Sequence, residues 1–150
     1  MIMQDLLSAL EKRLETGALF LDVNRLCCLQ VDSLEMTLEF LEQQNSLFVY
    51  LNIGTLSSHG SALFLDLLAA NLFHYGTCEG AAFGFDKEKN DVLLYQRFSL
   101  TLVNEDVFVG ACVQMIEVAK VWQKKLSHSQ PVIPMATHSL SGLNIAGKIK

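Results

Sequence analysis

The chain has 150 residues, 51% hydrophobic and 18% charged, with eleven basic against sixteen acidic side chains and a formal charge of −5. That length suits one domain burying roughly 70% of its unfolded surface, and the composition excludes a chain disordered throughout. Two of the few cations, Lys148 and Lys150, stand at the far end, so the body is more acidic still, which excludes nucleic acid and anionic membranes as partners and favours basic ones.

Residues 3 to 16, MQDLLSALEKRLET, place Met3, Leu6, Leu7, Leu10 and Leu14 on one stripe opposite Asp5 and Glu11. This spacing predicts an amphipathic helix, with Gly17 as the residue that ends it. From Leu26 to Leu56 the period changes to two. RLCCLQV reads as a short strand; EMTLEF alternates Met36, Leu38 and Phe40 against Glu35, Thr37 and Glu39; SLFVYLNI is apolar on both faces and is predicted to be central. Asp32 and Ser33 suit the first turn and residues 43 to 46 the second, and connections this short make the three strands antiparallel neighbours.

The stretch SHGSALFLDLLAANLFHYG predicts a helix with Ser57 or Ser58 as cap and Gly76 as its stop. Its leucines and phenylalanines fall on almost every side, so one flank covers a sheet and the other is left for a partner. GAAFGFD and DVLLYQRFSL follow as a hairpin closed by residues 87 to 90, with Ala82 and Gly84 on a small face that lets another backbone approach. Asn104 opens a last helix whose stripe Phe108, Cys112, Met115, Ala119, Trp122 and Leu126 is long enough to cross a sheet, while Val109, Val113 and Ile116 form a second stripe needing cover. After Leu126 the periodicity stops. The expected organisation is one domain over 1–127 and a flexible tail over 128–150.

The chemistry of catalysis is nearly absent. His59, His74, His128 and His138 offer no i, i+4 pair for a metal; Gly76, Gly80 and Gly84 match no phosphate-binding fingerprint; Cys78 has no basic neighbour to activate it. Trp122, Phe83, Phe85 and Phe108 have core spacing. Cys27, Cys28, Cys78 and Cys112 show no CxxC pattern and read as reduced thiols, favouring the cytoplasm. Asp5, Glu11, Lys12 and Arg13 break any signal-peptide run, and Asp66, Asn71 and His74 keep the best apolar segment below the ~18 residues of a membrane span. No enzyme, cofactor or metal is expected. What stands out is surplus apolar surface, which points to protein partners.

The ordered pieces LLAANLF at 67–73, GAAFGFDKEKNDVLLYQRFSL at 80–100, and a last helix with Phe108, Ala119 and Trp122 resemble the class I type III secretion chaperones, the Tir chaperone family. With the preceding elements the resemblance covers residues 3–126, although GFD stands where Gly-Leu-Asp is more usual and the tail is no part of the pattern. It implies an α+β fold in the order α-β-β-β-α-β-β-α, a twisted antiparallel sheet packed by helices, homodimeric through the second helix and the strand after it. It also implies a cytoplasmic bacterial protein that holds the N-terminal segment of a secreted effector non-globular for export, with the export ATPase as a further partner. A thiol enzyme, a small-ligand domain and a dimeric adaptor unrelated to secretion are the competing classes.

On these grounds the dimer contact is expected at Leu63, Leu67, Ala70 and the Ala81, Phe83, Phe85 strand. The effector is expected at Leu26, Cys28 and Gln30 on an edge strand, beside Leu19 and Met36, with Leu6 and Leu10 lining the pocket or packing beneath it. Glu35 and Glu39 on the open face are expected to steer a basic peptide.

Overall fold

The computed structural model describes residues 2–57, 60–72 and 77–129. The readings made for Ser58, His59, His74, Gly76, His138 and residues 130–150 lie outside them. Helix α1 is Ile2–Leu14; strands β1, β2 and β3 are Leu26–Val31, Leu34–Leu41 and Ser46–Thr55; helix α2 is Ser61–Asn71; strands β4 and β5 are Ala82–Asp86 and Asp91–Ser99; helix α3 is Glu105–Ser129. This is the expected element order. The five strands form one sheet, β1-β2-β3-β5-β4, with every neighbour antiparallel.

The apolar run of β3 puts it at the centre, because only a strand flanked on both sides and covered on one face gains from such a sequence. Residues paired across the ladders share a face. On one face Met36, Leu51 and Leu94 line up, as do Leu38 with Val49 and Leu47 with Phe98, and all are buried. On the other face Cys28, Thr37, Tyr50 and Tyr95 line up, flanked by Gln30, Glu35 and Asn52 and by Leu26, Glu39, Phe48 and Arg97.

Helix α3 crosses the covered face over β3 and β5, and α1 packs against α3. Phe108, Cys112, Met115 and Ala119 are fully buried. Phe108 meets Phe98 edge-on at 5.1 Å and Trp122 meets Phe83 at 5.0 Å, so the helix is keyed to both sheet halves by ring contacts. The second stripe finds its cover at α1: Ile116 is buried, and Val109 and Val113 are half-buried. At Gly54, whose φ is +141°, a Cβ would lie 2.6 Å from Leu126 Cδ2, so glycine lets the end of α3 close onto the end of β3.

Several ends differ from the sequence reading. Helix α1 is stopped by Glu15, which takes φ 56° while the Thr16 N–H donates to the Glu11 carbonyl at 3.1 Å. That six-to-one bond closes the helix two residues before Gly17, which has open space around it. The cap of α2 is Gly60 and carries no side-chain bond; Ser57 meets this turn through its carbonyl, which accepts the Gly60 N–H. Helix α2 ends at Asn71, short of Gly76. Strand β4 begins at Ala82 because a turn with positive φ at Gly80 precedes it, and Tyr95's ring, 3.1 Å from a Cβ built at Gly84, is what approaches the small face. Asn104 caps α3 as expected, its Oδ1 accepting the Val107 N–H at 2.9 Å. Helix α3 runs on to Ser129, past the 127 boundary.

Candidate functional site

A five-stranded sheet has two edges, and their backbone groups must be paired, covered or left as a template. At β4 the side chain of Asn71, on α2, takes both groups of Phe83: Nδ2 donates to the carbonyl at 3.0 Å and Oδ1 accepts the N–H at 2.7 Å. The Ala81 N–H donates to the Cys78 carbonyl. That edge is closed along its first half. At β1 the Phe40 N–H donates to the Arg25 carbonyl, which fixes the alternation: Cys27 and Leu29 bond to β2, while Leu26, Cys28 and Gln30 turn their N–H and C=O groups outward. Asp22 occupies Leu26, its carboxylate accepting the Leu26 N–H at 3.0 Å and its own N–H donating to the Leu26 carbonyl at 2.8 Å. The backbone groups of Cys28 and Gln30 find no partner among the described residues.

The side chains of Leu26, Cys28 and Gln30 emerge on the open face. There Leu26 and Cys28 form, with Thr37, Phe48 and Tyr50, the floor of a shallow concavity of about 400 Å³. Phe48 stands 5.3 Å from Tyr50 and 5.6 Å from Tyr95, with the Arg97 guanidinium over its ring. Glu35, Glu39, Asp86 and Asp91 line the concavity against one lysine, Lys89. Burial, then the charges of Glu39 and Cys28, push the Tyr50 phenol up; the Thr37 hydroxyl lowers it and the Glu35 charge raises it further.

The structure separates the expected effector residues into two groups. Met36 lies on the covered face opposite Leu29 and is fully buried, as are Leu6 and Leu10. Leu19 is buried by the loop after α1, its N–H held by Glu11 Oε2 at 2.7 Å. The pocket drawn from sequence, with Met36 beside Cys28, is therefore not formed: alternation puts the two on opposite faces. Leu26, Cys28 and Gln30 do come together, at the free edge.

The residues expected at a dimer contact separate likewise. Leu63, Leu67, Ala70, Ala81 and Phe83 are buried within the chain, whereas Phe85 is 40% exposed. The outward flank of α2 is Phe64, Leu65 and Leu68, followed by Leu72 at the helix's C-cap, and Leu65 is 64% exposed. Phe64 and Phe85 meet edge-on at 6.1 Å beside an apolar hollow of about 120 Å³. Asn71 and Asp22, which shape the two edges, were not singled out by sequence reasoning as functional. An amide on an otherwise apolar helix, and an Asp four residues ahead of a strand, were the available signals.

Among the described residues no group of three His, Cys, Asp or Glu side chains is placed to hold a metal ion, and no helix is long and apolar enough to cross a membrane. Cys112 is deeply buried, which pushes its thiol far up, and burial raises Cys78 as well.

A free strand edge at β1 and an exposed helix flank at the opposite, β4 end of the sheet are the features of a protein-binding molecule, and residues 5–123 match the sequence model of the Tir chaperone protein (CesT) family. The chain belongs to that family. Solved structures show the same fold. The ExsC–ExsE complex contains a chain 23% identical, covering 83% of this chain and 92% of that one at a TM-score of 0.70. A chain of the HopA1–SchA chaperone–effector complex is 19% identical, with coverage of 82% and 94% and a TM-score of 0.66. The Yersinia pestis type III secretion chaperone SycH, in complex with a fragment of YscM2, is 16% identical, with coverage of 79% and 97% and a TM-score of 0.61. Comparison with curated proteins finds no match.

Proposed function

We propose that the protein is a type III secretion chaperone that binds the N-terminal segment of a secreted effector and keeps it soluble and export-competent. Membership of the Tir chaperone family over residues 5–123 carries this reading, and the same fold in the HopA1–SchA chaperone–effector complex supports it. The chaperone acts by binding alone, in the bacterial cytoplasm, and hands its client to the export ATPase. The client adds as a strand to β1, bonding to Cys28 and Gln30 and laying alternate side chains beside Leu26 on the open face. Leu6, Leu10, Leu19 and Met36 belong to the buried core and take part only as its support.

Two copies pair through the flank of α2 and Phe85, where Phe64, Leu65, Leu68 and Leu72 supply apolar surface for a contact on the ~1,600 Å² scale of stable pairs. Leu63, Leu67, Ala70, Ala81 and Phe83 support that surface from below. The chaperone unit is 1–127, and 128–150 is dispensable for its folding. Capture of proteins from the native bacterium on the tagged full chain, followed by identification, tests the function. A secreted protein retained through its N-terminal segment is the expected result; retention only of proteins that are never secreted contradicts it.

A further inference from the structure

We infer that Glu35 and Glu39 set the sequence preference of the strand that adds to β1, by forming a slot for one Arg or Lys opposite Cys28. This rests on the strand-addition reading above and specifies the chemistry of the client. The register places Thr37 directly across from Cys28, with Glu35 two residues to one side and Glu39 two residues to the other. All three β2 side chains face the open side, as does Tyr50 one strand further on. Neither carboxylate has an ion pair among the described residues; the three ion pairs there join Arg25 to Glu42 and Lys120 to Asp32 and Glu117.

The distances fit a long cation. An added strand lies ~4.8 Å beyond β1 and ~9.6 Å from β2. From the position opposite Cys28, an Arg or Lys side chain passes over the small thiol, whose sulfur is 3.8 Å from Thr37 Oγ1. Its head arrives between two carboxylates rooted about 14 Å apart, each with a flexible side chain, and in front of Tyr50, which offers a ring to a cation. Glu or Asp at the same position meets two like charges. Because Asp22 seals Leu26, only the positions opposite Cys28 and Gln30 present side chains to this face from a fully bonded strand. The slot opposite Cys28 is the one flanked on both sides.

The test uses a fluorescent nonapeptide of alternating Val and Thr with a single central residue, titrated into the full chain by anisotropy. Central Arg is expected to bind about tenfold or more tightly than central Glu. The Glu35→Lys, Glu39→Lys double variant is expected to reverse that order, with unchanged circular dichroism because both side chains reach solvent. Gln30→Pro, which removes an outward N–H the sheet itself does not use, is expected to weaken both peptides. No binding, equal binding of the two peptides, or an Arg preference that survives charge reversal overturns the inference. If the captured client binds the charge-reversed chain as tightly as wild type, the slot fails while the chaperone function stands. If the peptide order reverses but no secreted protein is ever captured, the slot stands and the chaperone function fails.

Discussion

Asn71 and Phe83 are joined by a pair of hydrogen bonds in which a side-chain amide stands in for the backbone of a neighbouring strand, at 3.0 and 2.7 Å. This one contact fixes α2 on β4 and closes the first half of the β4 edge. Asn71→Leu keeps the helix and the bulk but strands the N–H and C=O of Phe83. The expected cost is about 1 to 3 kcal/mol, read as a thermal midpoint lower by several degrees. It should also raise aggregation, because a second free edge is exposed.

Leu67 and Leu68 are neighbours in sequence with opposite surroundings, the first buried and the second 52% exposed. Leu68→Glu is expected to give a folded monomer in sedimentation, where the wild type runs as a dimer at micromolar concentration. Leu67→Glu buries a carboxylate with no partner and should unfold the chain or drive it into aggregates. A dimeric Leu68→Glu variant would place the self-contact elsewhere.

The buried thiols make stability depend on alkaline pH. Burial, then the neighbouring Cys78, raises Cys112 from its ordinary value of 9.0, and burial raises Cys27 and Cys78 too. Below about pH 9 folded and unfolded chains both hold these protons; above it the unfolded chain releases them first, so it binds fewer protons and stability falls as pH rises. The thermal midpoint is expected to fall as the pH rises above about 9, and Cys112→Ala, though less stable at neutral pH, should show a shallower fall. In the native chain Cys28, the exposed thiol, is expected to react first with a maleimide.

Asp22 is small in the sequence and large in its effect, since it pairs both outward groups of Leu26 and also accepts the Asn24 N–H at 2.8 Å. Asp22→Ala should cost about 1 to 2 kcal/mol in a urea titration, while freeing the outward N–H of Leu26, whose carbonyl keeps its bond from the backbone N–H of residue 22.

The sheet was legible because its strands differ in period: the alternation of Met36, Leu38 and Phe40 marks a half-covered strand, and the two-sided run from Leu47 to Ile53 marks the central one. The last helix was legible from Asn104 and its stripe. Helix ends were less so, because Glu15 adopts a left-handed conformation that no propensity favours. The site was half legible. Leu26, Cys28 and Gln30 sit on the edge as spacing suggested, but Met36 was grouped with them although register puts it through the sheet. Register depends on pairing across strands, and a single strand's sequence does not carry it. On α2 the sequence shows that one flank is spare, but apolar residues on every side do not show which; contact with β4 decides that Leu63 and Leu67 go in and Leu65 and Leu68 stay out.

The most direct test of the account is amide hydrogen exchange on the full chain, free and with the N-terminal segment of its captured secreted protein bound. The account predicts that the amides of Cys28 and Gln30 exchange quickly in the free chain and become strongly protected in the complex, with Phe83 protected in both. A complex in which Cys28 and Gln30 exchange as fast as in the free chain would contradict it.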